Sequence, residues 1–458
     1  MTDKQEWQGK HVTVVGLGIE GEDLARYFAT AGANVTVSAA ASEVVARPRI
    51  DALAGLDIDF RLGGNDVSHI DGADLIAVSQ GVPQGIPMLT AARDRGIPIE
   101  SMTTLFLDRW PGPVCGITGS SGKTTTTSLV DAIFTAAGRD HVLGGNIGRG
   151  LLAHLEDPSP GAWAVLEMSH TQLVLTRTSP DVAAITNVTP NHLDQFNWED
   201  YVGLKRKVFA FQDESKRAVF NLDDPVSQEL RPEAKARVFL FATSGDHGLD
   251  GAYLESGSIF WRLDGRTERV VAADEIPLRG FHNVANVAAA TAIAAACEIG
   301  PEAVAAAVRS FHAPAHRIEL VATVDGVAYY NDSIATAPER TLAALRSFDE
   351  PIVLLLGGRE KKLPLDQLMT EAKARCRAAV CFGEAGPLFA DAAEHAGIEV
   401  VRVGPLAEAV EAASRVAQRG DVVLLSPACT SFDAYPNFEA RGVDFRALVS
   451  RLSQGARP

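Results

Sequence analysis

Residues 116–127 read GITGSSGKTTTT, a turn rich in glycine and hydroxyls with a single lysine. Such a turn lets several backbone amides converge on one anion, while a lysine adds a point charge and the following threonine a hydroxyl suited to Mg²⁺. The amides of Gly119, Ser120, Ser121 and Gly122 are expected to wrap the β- and γ-phosphates of ATP. Lys123 is expected on the γ-phosphate and Thr124 on the metal, with Thr125 continuing into the helix. The spacing is one glycine short of the full G-x-x-x-x-G-K-[ST] pattern, because Ile117 holds the first glycine position. A phosphate cradle of this kind serves motors, kinases and ligases alike, so the rest of the chain must say which.

Further along, Glu167 closes the apolar run VLE, where an acid is costly unless it meets a cation. Together with His192 and Asp194, in the turn NVTPNHLDQF that follows the strand-like VAAITNV, it could complete a magnesium site. A histidine in a turn is as often structural as ligating, and Lys205 alone reads as a solvated helix lysine.

The elements that position these groups follow from periodicity. Strand-like VCGIT precedes the phosphate turn, and TTTTSLVDAIFTAAG follows with helical spacing. The N-terminal stretch HVTVVGLGIEGEDLARYFATAGANVTV repeats the scheme, with a strand at 11–15, a turn carrying Gly16, Gly18 and Gly21, and an amphipathic helix. This is a dinucleotide-binding pattern, yet the next strand ends in VSAAAS with no carboxylate until Glu43, which argues against NAD. After residue 312, YYNDSIATAPERTLAAL, PIVLLLGGREKK, AAVCFGEAG and DVVLLSPACTSFD each read as a strand, a small-residue turn and a helix. The sequence therefore predicts an α/β protein of three domains with largely parallel sheets. They are a Rossmann-like N-terminal domain (1–110), a central P-loop ATPase domain (111–312) and a Rossmann-like C-terminal domain (313–458).

Composition narrows the class. The 458 residues are 46% hydrophobic and 22% charged, as in a globular protein, with a formal net charge of −16. A nucleic-acid ligand needs a broad basic face and is disfavoured. The five cysteines, Cys115, Cys297, Cys376, Cys381 and Cys429, have neither zinc nor disulfide spacing, which fits a reducing cytoplasm. The polar start MTDKQEWQGK has no signal-peptide core, and no apolar run reaches membrane-spanning length; the Ala-rich VAAATAIAAACEIG reads as a buried helix. No heptad repeat is present, so a monomer is expected.

Taken in order, TGSSGKTT, GGNIG, LEMSHTQL, NVTPNHLD, YVGLK, HN, HRIE, NDSIAT, LLLGG and SPACTSFDAYPNFEARG resemble the Mur ligase family over nearly the whole chain. That resemblance implies an ATP-dependent amide ligase that adds D-glutamate to UDP-N-acetylmuramoyl-L-alanine through an acyl phosphate, in cytoplasmic peptidoglycan precursor synthesis. The alternative it leaves open is L-glutamate, or another acceptor, on the same or a related carrier. It implies two Mg²⁺ ions, the second held by Glu167, His192 and a carbamylated Lys205, so that Lys123, His192 and Lys205 carry the chemistry. Asn283 and Arg317 would contact ATP and Asp332 its ribose. Gly18 and Asn146 would meet the nucleotide-sugar substrate, and Thr336, Lys361, Ser431 and Phe438 the incoming glutamate.

Three stretches depart from the family's usual pattern. Ser169-His170-Thr171-Gln172-Leu173 replaces Ser-Ser-Phe-Gln-Leu, and Ile334 stands where a lysine is usual. Ala39 and Ala40 stand where an acid and a threonine usually meet the uracil, so other groups must read the base. Arg340, Arg359 and Lys362 lie close by in sequence to offset the missing lysine charge.

Overall fold

The computed structural model describes residues 6–147, 150–156, 158–191, 195–312, 315–453 and 455. Three sheets organise the chain into N-terminal, middle and C-terminal domains. By packing these form two compact units. One holds the described residues up to 275 with 284–310, and the other holds 276–283 with the described residues from 311 onward.

The first sheet contains β1 (His11–Val15), β2 (Asn34–Ala39), β3 (Ile58–Leu62), β4 (Leu75–Val78) and β5 (Ile99–Ser101), all parallel in the order β3-β2-β1-β4-β5. The expected strand at 11–15 is β1, and its turn needs glycine. Gly16 has φ +91°, and a Cβ on Gly21 would lie 2.0 Å from the Gly16 carbonyl oxygen. Only a bare backbone lets the helix Ile19–Thr30 start that close to the strand.

The middle sheet runs β14-β13-β12-β11-β10-β9-β6-β8-β7. Its parallel part comprises β6 (Val114–Thr118), β7 (His141–Gly145), β8 (Trp163–Glu167), β9 (Val182–Ile185), β10 (Arg217–Asn221), β11 (Arg237–Ala242) and β12 (Gly251–Glu255). β13 (Ser258–Leu263) and β14 (Arg266–Ala272) extend it as an antiparallel meander. β6 lies inside the sheet and is buried along its whole length, as a strand covered on both faces requires. One apolar core joins this sheet to the first, running from Val14 and Phe28 through Phe106 to Leu166 and Phe220.

The last sheet holds β15 (Glu319–Val324), β16 (Val327–Asn331), β17 (Ile352–Gly357), β18 (Cys376–Phe382), β19 (Val400–Arg402) and β20 (Val422–Leu425), in the order β15-β16-β20-β17-β18-β19. It is parallel except for β15, which pairs antiparallel with β16 through the tight turn at Asp325-Gly326. The Ala-rich segment around 287–296 is a buried helix, as its composition implies, and no helix among the described residues is long and apolar enough to cross a membrane.

Candidate active site

The sheet register brings the chemistry-bearing side chains of the middle domain to one edge. Ile117 pairs with Glu167 across β6 and β8, Gly145 pairs with Glu167 across β7 and β8, and Thr118 ends β6 beside Ile185. The phosphate turn therefore leaves the sheet next to Glu167, at the carboxyl ends of the strands, where a parallel sheet opens its ligand crevice.

Packing fixes the conformation of the turn. Gly119 has φ +155°, and a Cβ there would fall 1.9 Å from Thr186 Oγ1; Gly122 has φ +78° with Asn286 Oδ1 2.3 Å from its would-be Cβ. Asn187 clasps the loop: its carbonyl accepts the Ser120 amide at 2.9 Å, and its Oδ1 accepts the Ser121 amide at 3.0 Å. Ser120 Oγ in turn donates to the Thr189 carbonyl at 2.9 Å. This modifies the expectation that all four amides of 119–122 face a phosphate, since two of them already bind Asn187. The Lys123 ammonium donates to the carbonyls of Gly119 (2.9 Å) and Ser120 (3.2 Å), so it is folded back over the turn it serves. Thr124 is half-buried and Thr125 buried in the first turn of the helix Lys123–Ala136, whose dipole favours an anion at this end.

Glu167 is buried, with 1% exposure. Its Oε1 accepts from the Asn146 amide at 2.8 Å, while Oε2 has no hydrogen-bond partner among the described residues. A buried carboxylate oxygen without a donor calls for a cation or a water. Lys205, on the helix Trp198–Ala210, is equally buried and has a single hydrogen bond among the described residues, to Thr118 Oγ1 at 3.1 Å, with the Tyr201 ring 5.4 Å away. Burial first, and then the nearby Lys123 charge, hold its ammonium well below the usual lysine range, with Glu167 pulling the other way. Gly18 precedes the helix Ile19–Thr30 in the N-terminal domain. His192 and Asp194 lie outside the described residues.

The remaining expected residues all belong to the second unit. Asp332 is buried; its Oδ2 accepts from Ser426 Oγ at 2.8 Å and its Oδ1 from the Ile318 amide at 3.3 Å. Burial pushes its carboxyl up to about 7, against the pull of the Ser426 hydrogen bond and the Arg317 charge. Asn283 donates to the Arg279 carbonyl at 2.6 Å. Lys361 and Thr336, 25 residues apart in sequence, meet at 3.2 Å. Ser431 is buried, and Phe438 opens the helix Phe438–Ser453, its carbonyl accepting from Ser333 Oγ at 2.8 Å.

Several residues that bind these groups together escaped the sequence reading. Thr118, Asn187 and Asn286 shape the phosphate turn, and Arg441 ties the loops of the second unit. The signal for Arg441 was present in the quoted SPACTSFDAYPNFEARG, where an arginine sits within a helix that must pack on the sheet.

Three family models cover the chain: the Mur ligase MurD-like N-terminal domain at residues 10–101, the Mur ligase middle domain at 117–294, and the Mur ligase glutamate ligase domain at 316–429. The UDP-N-acetylmuramoylalanine–D-glutamate ligase of Symbiobacterium thermophilum is 40% identical over 448 residues, 97% of this chain and 98% of that protein. The chain belongs to the Mur ligase family. The ligase of the same name from Koribacter versatilis is 39% identical over 450 residues, 98% of each chain. Among solved structures, the UDP-N-acetylmuramate–alanine ligase of Thermotoga maritima superposes with a TM-score of 0.61 at 18% identity, over 98% of this chain and 100% of that one, and so shares the Mur ligase fold.

Proposed function

We propose that this chain is an ATP-dependent ligase that adds D-glutamate to UDP-N-acetylmuramoyl-L-alanine, a step of peptidoglycan precursor synthesis. The observation that carries this reading is its end-to-end match, at 32–40% identity, to curated ligases of that name. We place the reaction in the cytoplasm, performed by a monomer.

In this reading the alanyl carboxylate attacks the γ-phosphorus of ATP, the bond from that phosphorus to the bridging oxygen breaks, and ADP leaves. The glutamate amine then attacks the acyl phosphate carbon, phosphate departs, and the nitrogen loses a proton to leave an amide. Lys123 swings from the carbonyls of Gly119 and Ser120 to the phosphoryl oxygens, where the chief need is neutralisation of moving charge. The chain fits a divalent cation, because Glu167 Oε2 is buried and unpaired among the described residues. Thr124 would hold one Mg²⁺, and Glu167, His192 and Lys205 a second, and the ions would supply further charge neutralisation at the phosphoryl group. A buried amine beside Thr118 that resists protonation suits capture of CO₂ as a carbamate, which turns Lys205 from a cation into an anionic ligand. Asn283, Arg317 and Asp332 are assigned to ATP, Gly18 and Asn146 to the nucleotide sugar, and Thr336, Lys361, Ser431 and Phe438 to the incoming glutamate.

The test supplies UDP-N-acetylmuramoyl-L-alanine, ATP and Mg²⁺ with D-glutamate, L-glutamate, aspartate, alanine or lysine in turn, and follows phosphate release. Release that needs both carrier and D-glutamate is expected. Turnover with L-glutamate but not D-glutamate would change the acceptor, and turnover only with alanine or lysine would overturn the acidic-acceptor assignment.

A further inference from the structure

The helix Phe281–Ala296 is divided between the two compact units: its first residues, through Asn283, belong with the second unit and the rest with the first. Asn283 is assigned to ATP above. Its place therefore depends on whatever holds the short segment Ile276–Asn283 to the rest of the second unit.

Arg279 is that hold. Its Nε donates to Tyr330 Oη at 2.6 Å, and its Nη1 lies 2.6 and 2.9 Å from the two oxygens of Glu350. The guanidinium also lies 5.1 Å from the centre of the Tyr330 ring and 5.3 Å from that of Phe348. Those two rings meet edge to face at 4.9 Å, one on β16 and the other in the turn before β17. A partly exposed ion pair alone contributes little. A planar fork packed on two rings, with donors aimed at two different acceptors, has one orientation. The backbone follows it closely: Gly280 has φ +89°, and a Cβ there would lie 2.9 Å from Ser347 Oγ.

Once Arg279 is fixed, its backbone sets Asn283. The Arg279 carbonyl accepts from Asn283 Nδ2 at 2.6 Å, and the Gly280 carbonyl accepts the Asn283 amide at 2.9 Å. A carbonyl can only accept, so the nitrogen of the Asn283 side chain faces Arg279 and its oxygen points the other way. The neighbouring His282 feels the Arg317 charge, which with burial holds its imidazole below the usual range. The same charge acts on Asp332.

We propose that Arg279 is a positioning residue for ATP: it fastens the turn 279–283 to Tyr330 and Glu350, and so carries Asn283 on the unit that holds Arg317 and Asp332. This rests on the assignment of those three residues to ATP in the ligase reading above.

Calorimetric titration of the full chain with ADP and Mg²⁺ tests it, on wild type, Arg279→Met, Arg279→Lys, Asn283→Ala and the double variant Arg279→Met with Asn283→Ala. Each of Arg279→Met and Asn283→Ala should weaken ADP about tenfold, and the double variant no further than about tenfold, because both remove the same contact. Arg279→Lys keeps a cation for Glu350 but not the fork, and should fall between wild type and Arg279→Met. KM for glutamate, whose assigned residues lie in the same unit, should stay within about twofold in Arg279→Met, whereas a general loosening of that unit would raise it alongside the ADP constant. Wild type that binds no ADP, unchanged affinity in Arg279→Met, losses that multiply to about 100-fold in the double variant, or an equal rise in KM for glutamate overturns the proposal. The ADP titration needs neither carrier nor acceptor. A chain that shows this pattern but releases no phosphate retires only the ligase, and one that ligates without it retires only the role of Arg279.

Discussion

Among the described residues each compact unit buries one long cation, and the two are treated in opposite ways. Lys205 has one hydrogen bond, to Thr118, and no carboxylate within ion-pair distance among the described residues. Arg441, 1% exposed, donates to Ser333 Oγ (2.9 Å) and to the carbonyls of Ser333 (2.9 Å), Cys429 (3.1 Å), Thr430 (3.2 Å) and Gly357 (3.4 Å). Both are driven toward the neutral form by burial, Lys205 well below its usual range and Arg441 only to about 10. A guanidinium saturated by five oxygens stays charged and acts as a bracket, joining the loop after β16, the end of β17 and the loop after β20. An ammonium with one partner is poorly compensated, which suits the ligand role proposed above for Lys205. Counting partners thus separates the buried charge proposed to react from the architectural one.

The largest expected effect breaks the reactive side of this contrast. Lys205→Ala should lower ligation by at least about 10³-fold, the order seen when a preorganised charge is lost from a phosphoryl-transfer site, with the thermal midpoint little changed. Short carboxylates added to the assay should restore part of the activity by standing in for the carbamate proposed above. Wild-type turnover in this variant would return Lys205 to a structural role.

That contrast was only half legible in the sequence. The phosphate turn, the strand before it and the helix after it follow from glycine spacing and a change of hydrophobic period, and the structure places them at the expected positions. The long apolar runs likewise announce β17 and β20 as central parallel strands. Long-range partners were not legible. Thr118 reads as the last residue of a strand until a helix 87 residues later brings Lys205 to it. Asn187 reads as a loop residue until its two oxygens are seen to hold the turn.

The architectural side is broken by Arg441→Met, which keeps length and volume but removes five hydrogen bonds, with the Thr430 carbonyl keeping the Arg359 amide as a donor. Loss of such a network costs about 3–5 kcal/mol, so the denaturant midpoint of the unit containing Arg441 should fall markedly. Because Thr336, Lys361 and Ser431 sit on the loops it ties, KM for glutamate should rise more than KM for ATP. Arg441→Lys, with three donors in place of five, should recover part of the stability. Unchanged stability in Arg441→Met would mean that water supplies those oxygens equally well, and the bracket reading would fail.

A buried anion in the same unit sharpens the comparison with the smallest effect. Asp332 has two hydrogen-bond donors, yet burial raises its carboxyl from an ordinary 3.8 to about 7, so it is under-compensated where Arg441 is saturated. Between those two values the folded chain holds a proton that the unfolded chain has released. Stability must then fall as pH rises through this window and level off above it, because the excess bound proton belongs to the folded state. The change from about pH 5 to about pH 8 should be about 1–2 kcal/mol, allowing for relaxation around the charge. Asp332→Asn stays neutral throughout, with its Oδ1 accepting from the Ile318 amide and its NH₂ donating to the Ser426 hydroxyl. Its stability should therefore lose this part of the pH slope and exceed that of wild type only at the alkaline end. Thermal or denaturant unfolding of both proteins at the two pH values measures the difference of slopes, in which the titrations common to both cancel. Parallel slopes would show that Asp332 is ionised at neutral pH in the folded chain, with Arg317 rather than burial governing its charge.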